Sequence, residues 1–193
     1  RGHLGSHDRP GARAVACVVS TEAKMDEALS VADAVVSSGG VSMGKLDLMK
    51  PLLERRGTVR FGRVTMKPGK PLTFVTIDEK LFFALPGFPV SSLVSFELFV
   101  RPALLKMAGR QRVTRRVARV TLAHDIEHDA ARTEYQRAII TERGGVLTAT
   151  TTGFQGSGRL LSMVGANALL KLPVWRGNFA KGEVVEALLI GEV

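Results

Sequence analysis

Residues 34–38, Ala-Val-Val-Ser-Ser, run directly into Gly39-Gly40-Val41-Ser42-Met43-Gly44, and this junction constrains the fold more than any other stretch. A strand that ends in a loop with almost no bulky side chains lets a ligand meet the backbone. Gly39, Gly40 and Gly44 can take positive φ, Ser37, Ser38 and Ser42 add hydroxyl donors, and Asp47 brings the first negative charge after the loop. A Gly-Gly pair after a strand also makes a plain tight turn, so both readings stand at this point. What precedes the loop narrows the architecture. Residues 14–19 read as a short strand, and residues 21–32 place Met25, Ala28, Leu29 and Ala32 on one helical face behind Thr21 as N-cap. Strand, helix, strand and glycine loop is the order of a parallel α/β unit, in which ligands sit beyond the carboxyl ends of the strands.

The remainder of the first half continues that pattern. A brief helix through Leu52 and Leu53 ends at Gly57, with Pro51 tolerated only near its first turn. Strands are expected over 59–64, 72–77 and 81–85, with a turn at Asp78-Glu79. Residues 90–107 read as a helix with Leu93, Val94, Leu98, Leu104 and Leu105 inward, kinked or split by Pro102 and closed by Gly109. From Arg112 onward the apolar period becomes two, giving strands over 113–122, 134–141, 146–151, 168–172 and 184–190. A domain boundary is therefore expected near residue 110, between an α/β domain (1–110) and a small β-barrel-like domain (111–193). Residues 1–13 lack apolar periodicity and begin without Met, as a cut end would.

Charge is distributed unevenly along the 193 residues. Six basic and six acidic residues fall in 1–50, fourteen and four in 51–119, and seven and eight in 120–193, for a net +9. The basic tract Arg110, Arg112, Arg115, Arg116 and Arg119 comes with only 6% aromatic residues and no stacking motif. It reads as a solvated face or an anionic small-molecule site rather than a nucleic-acid surface. One cysteine excludes an internal disulfide, and no Cys/His grouping has zinc spacing. No stretch looks like a signal peptide or a membrane span, so no membrane insertion is expected and a reducing, cytoplasmic location is the default. Lys67 and Lys70 flank Pro68-Gly69, with Pro71 following. Two ammonium groups on a loop stiffened by two prolines are either solvated surface charges or a pre-ordered anion trap. Asp47 likewise either caps the next helix or holds Mg²⁺, which takes one or two carboxylates and bridges to phosphate oxygens.

Ser38-Gly39-Gly40-Val41-Ser42-Met43-Gly44, then Lys67-Pro68-Gly69-Lys70-Pro71, then Leu85-Pro86-Gly87-Phe88-Pro89-Val90-Ser91 form a specific combination. Glu134-Tyr135-Gln136-Arg137, Thr151-Thr152-Gly153-Phe154-Gln155 and Arg159-Leu160-Leu161-Ser162-Met163 extend it. Over roughly residues 22–190 the chain resembles the molybdopterin molybdenumtransferase family, which includes the bacterial MoeA proteins and the E domain of gephyrin. The resemblance implies an incomplete three-layer α/β/α molybdopterin-binding domain followed by a small β-barrel-like domain. It implies a molybdotransferase that inserts molybdate into adenylylated molybdopterin within an ATP-dependent pathway. Lys67, Lys70 and Pro71 would sit at the molybdate, with Arg137 and Ser162 as oxyanion ligands from the second domain. Ser38, Gly39, Gly40, Ser42, Gly44 and Ser91 would contact the cofactor, and Asp47 would hold Mg²⁺ against the pyrophosphate. A homodimer and an adenylyltransferase partner, as a domain or a separate protein, are also implied. A second reading is a gephyrin-like scaffold that binds the cytoplasmic loop of a receptor. A third, a relative that only adenylylates or binds molybdopterin, is opposed by the β-rich C-terminal part. The family's Thr-Gly-Asp-Glu-Leu strand does not occur in these residues, Lys45 stands where some relatives are acidic, and Phe88 replaces the usual Asn of Leu-Pro-Gly-Asn-Pro. The expectation is therefore a chain that binds its anion without turning over alone.

Overall fold

Thr21 begins the first described helix by accepting a hydrogen bond from the Lys24 amide at 3.3 Å, as a Ser/Thr N-cap does. The computed structural model describes residues 13–17, 21–39 and 49–193. In the α/β part, β1 (Ala14–Cys17), α1 (Glu22–Val31) and β2 (Ala34–Ser38) are followed by α2 (Met49–Arg56) and β3 (Thr58–Gly62). Then come β4 (Met66–Lys67), β5 (Thr73–Ile77) and β6 (Lys80–Leu85). The sheet runs β1-β2-β6-β5-β3. Its β1-β2-β6 portion is parallel, as the strand-helix-strand order requires, whereas β6-β5-β3 is antiparallel because the Asp78-Glu79 turn folds β5 back on β6.

Helices cover both faces of this sheet. Met25, Leu29, Leu52 and Leu53 pack on one side against Val35, Val75 and Phe82. On the other, Leu72, Phe83 and Leu85 meet α3 (Pro89–Ser95), a π-helical turn (Phe96–Val100) and α4 (Arg101–Met107). Pro102 does split the helix. The five-residue π-turn accommodates a ring that has no N–H to donate and would crowd the preceding turn. Leu93 corrects the expected inward face: it is 39% exposed, while Val90, Ser91, Val94 and Ser95 are buried. The helix turns small serines toward its neighbours because the 66–69 segment approaches too closely for leucine.

The second sheet contains β7 (Val117–Leu122), β8 (Thr133–Arg143), β9 (Val146–Thr151), β10 (Ala168–Leu172) and β11 (Val184–Leu189). Because β10 pairs with both β11 and β8, the order β10-β11-β7-β9-β8 closes into a five-stranded barrel. Val120, Leu122, Ala138, Ile140, Leu170 and Ala187 alternate into its interior. Residues 113–116 were expected in the first strand of this sheet but lie outside it. There Arg115 makes a bidentate pair with Glu97, and Val113 accepts a hydrogen bond from Arg101, so the segment is tied to the helices instead.

The two parts are joined by an excursion that no sequence period announced. Between β3 and β5 the chain leaves the first sheet, and β4 pairs in parallel with β8, Lys67 opposite Glu134. Met66, Val90, Val94 and Leu169 form a buried cluster across this junction. Each fully buried side chain of this kind contributes about 1.5–3 kcal/mol. Among the described residues no helix is long and apolar enough to cross a membrane. A sheet with helices on both faces followed by a small closed barrel is the expected fold class.

Candidate functional site

The carboxyl ends of β2 and β6 lie side by side, with Ser38 opposite Leu85. The Gly39 amide donates to the Leu85 carbonyl at 3.0 Å, and the Ser38 and Ser92 hydroxyls gather at the Pro86 carbonyl. Gly39 has φ +86, and a Cβ there would meet nothing within 4 Å, so glycine is favoured by backbone conformation rather than by crowding. Ser91 is buried on the first turn of α3. Gly40, Ser42, Gly44 and Asp47 lie outside the described residues.

The Lys67-Pro68-Gly69-Lys70-Pro71 loop is the tip of the β3–β5 excursion. The Val64 amide donates to the Lys70 carbonyl at 3.0 Å and the Leu72 amide to the Gly69 carbonyl at 3.1 Å, closing the tip on itself. Gly69, at φ +111, faces α3 so closely that an added Cβ would lie 2.8 Å from Ser95 Oγ. Lys67 is half-buried with Nζ 3.0 Å from Glu134 Oε1, whereas Lys70 is exposed.

Arg137, three residues past the register partner of Lys67 on β8, is completely buried. That offset is roughly 10 Å of extended strand. Arg137 Nε donates to Ser162 Oγ at 3.1 Å and Nη2 to the Gly156 carbonyl at 3.3 Å, while Nη1 is buried without a partner among the described residues. Desolvation holds this guanidinium below the ordinary arginine range, opposed in part by the Glu134 carboxylate. Ser162 donates its hydroxyl proton to the Arg159 carbonyl at 2.7 Å. It must rotate away from that carbonyl before it can donate to a bound anion. The 156–158 segment reaches the α/β part, where the Val90 amide donates to the Ser157 carbonyl at 3.2 Å. The structure thus brings Arg137 directly onto Ser162 and sets Lys67 beside Glu134.

A cavity of about 710 Å³ is lined by Lys67, His128, Glu134, Gln136, Gln155 and Gly156 among others. It joins the lysine loop to the segment that accepts from Arg137. Glu134 and His128 were not foreseen as site residues. The available signal was an acidic side chain at position 134, in phase with inward-facing Gln136, Ala138 and Ile140, since a carboxylate at an inward position needs a cationic or proton-donating partner. Among the described residues no group of three or more His, Cys, Asp or Glu side chains is arranged to hold a metal ion.

Comparison with known proteins agrees with this arrangement. Residues 16–106 match the model of a probable molybdopterin binding domain, and residues 119–190 match that of the MoeA C-terminal region, domain IV. The chain is 46% identical over 185 residues to gephyrin of Dictyostelium discoideum, covering 83% of this chain and 26% of that protein. It is 37% identical over 161 residues to the molybdopterin molybdenumtransferase of Haemophilus influenzae, covering 82% and 40%. The crystal structure of a molybdopterin biosynthesis MoeA protein from Pyrococcus horikoshii superposes with a TM-score of 0.71 at 29% identity, covering 89% of this chain and 40% of that one. The chain therefore spans between a quarter and two fifths of the curated relatives it matches. Both matched regions, together with the order of an α/β sheet followed by a closed barrel, place the chain in the MoeA/molybdopterin molybdenumtransferase family.

Proposed function

We propose that the chain acts in molybdenum cofactor biosynthesis by binding molybdate and presenting it to adenylylated molybdopterin, with Lys67, Lys70, Arg137 and Ser162 as the oxyanion ligands. The observation that carries the reading is Arg137 Nη1, a buried charged donor without an acceptor. Such a group costs about 1–3 kcal/mol while unpaired, and a tetrahedral dianion satisfies it. Lys70, exposed at the tip of a loop closed by its own backbone bonds, supplies charge to the approaching anion. Ser38 and Gly39, at the carboxyl ends of parallel strands, are the described part of the cofactor contact, where α/β sheets bind ligands. In this reading the chain's own work is positioning and charge neutralisation: it fixes the oxyanion against the dithiolene sulfurs and keeps water from the buried guanidinium. Pro71 and Ser91 keep the supporting roles that the family resemblance implies. No step is assigned to Mg²⁺, because Asp47 lies outside the described residues. The homodimer, the adenylyltransferase partner and the domain boundary near residue 110 belong to the same proposal. No observation among the described residues favours the scaffold reading.

Calorimetry with tungstate or molybdate tests it. The folded chain binds with an affinity that falls as salt rises, and Lys70→Ala weakens binding about tenfold, the loss of one charge-assisted contact. Absence of binding by a folded sample, or unchanged affinity in that variant, overturns the cage.

A further inference from the structure

Glu134 and His128 have no part in the reading above, yet both side chains are enclosed beside it, His128 fully and Glu134 to within 2%. His128 Nδ1 lies 3.1 Å from Glu134 Oε2, and Nε2 lies 2.9 Å from the Pro173 carbonyl. A carbonyl only accepts, so Nε2 carries a proton. An ionised carboxylate also only accepts, so a second proton lies between Nδ1 and Oε2. The Lys67 ammonium lies 3.0 Å from Oε1 of the same carboxyl group. With one proton between Nδ1 and Oε2 the pair is neutral on whichever of the two atoms that proton rests. The carboxyl group then holds Lys67 in place and leaves its positive charge uncompensated, whereas a carboxylate that shared no proton with the ring would cancel it. Glu134 also acts electrostatically on Arg137, and the exposed Asp129 feels Lys67.

We propose that His128 and Glu134 are positioning residues that form a charge-neutral bracket for Lys67, keeping the ammonium fixed and fully charged for a tetrahedral dianion. The bracket rests on the reading that Lys67 binds an oxyanion.

Tungstate calorimetry on the full chain tests it with His128→Gln, Glu134→Gln and the double variant, each first checked for folding by circular dichroism. His128→Gln leaves a lone carboxylate against Lys67, and affinity falls roughly tenfold or more. Adding Glu134→Gln removes that charge and recovers most of the loss, so the two effects are strongly non-additive. A pair with a merely structural role gives a double variant that binds no better than His128→Gln, and that outcome overturns the bracket. If the folded variants all bind within about twofold of wild type, the bracket is likewise overturned while the anion site stands. If the folded wild-type chain does not bind tungstate, the anion reading fails and the bracket with it. Nitrogen NMR of the His128 ring together with infrared spectroscopy of the Glu134 carboxyl in the wild-type chain needs no variant: one proton shared between the two groups is expected, and a carboxylate beside a ring protonated at Nε2 alone overturns the proposal.

Discussion

In the proposed anion site the central side chain is Arg137. Its Nε and Nη2 are held by Ser162 Oγ and the Gly156 carbonyl, which fix the plane of the guanidinium and leave Nη1 as a buried donor without a partner among the described residues. Replacing a buried, imperfectly paired cation with an apolar group of similar length is often neutral or stabilising. Arg137→Met is therefore expected to keep the fold and hold or raise the urea midpoint, while tungstate affinity falls at least tenfold, about 1.4 kcal/mol or more. A variant that binds tungstate normally, or that unfolds, contradicts the assignment. At this scale the sequence was informative where a motif named the residue and silent where only packing did. Arg137 and Ser162 were singled out through their motifs, and the structure places them in hydrogen-bond contact. Glu134 sits in the same motif, but its role depends on His128, which reaches it only when the barrel closes and brings Pro173 to the far side of the ring.

The elements repeat that division. Periodicity and Thr21 located α1, and the alternation of apolar residues located the barrel strands, because both report one face against a core. Two residues of β4 are too short to leave a period, and of the buried face of α3 only Val94 was read as inward, because Ser91 and Ser95 carry no apolar signal. The contact between α3 and the loop that follows β4 makes two opposite predictions. Gly69→Ala, at φ +111, adds a Cβ that overlaps Met66 Cε and lies 2.8 Å from Ser95 Oγ, and is expected to destabilise by about 1–3 kcal/mol. Ser95→Ala removes a buried hydroxyl that has no partner and is expected to stabilise by about 1 kcal/mol. Urea denaturation followed by circular dichroism measures both. A neutral Gly69→Ala, or a clearly destabilising Ser95→Ala, means that the loop does not press on α3 as described.

Across the whole molecule, the α/β part and the barrel share one buried cluster and one strand pairing. β4 belongs to the polypeptide of the first part and to the sheet of the second, so β8 cannot separate from β4 without releasing Lys67 from Glu134. Leu169, fully buried on β10, packs in the cluster that holds Met66, Val90 and Val94. Leu169→Ala removes most of a leucine from a site where three elements meet, and such truncations cost about 2–5 kcal/mol. If the junction couples the parts into one cooperative unit, that loss is felt on both sides of it. Hydrogen exchange followed by mass spectrometry separates the two outcomes. The slowest amides of β2, between β1 and β6 in the first sheet, and those of β10 in the barrel are expected to lose the same free energy of protection in Leu169→Ala. Loss confined to β10, with β2 unchanged, means that the barrel opens alone and that the lysine loop and Arg137 are held together by local contacts only.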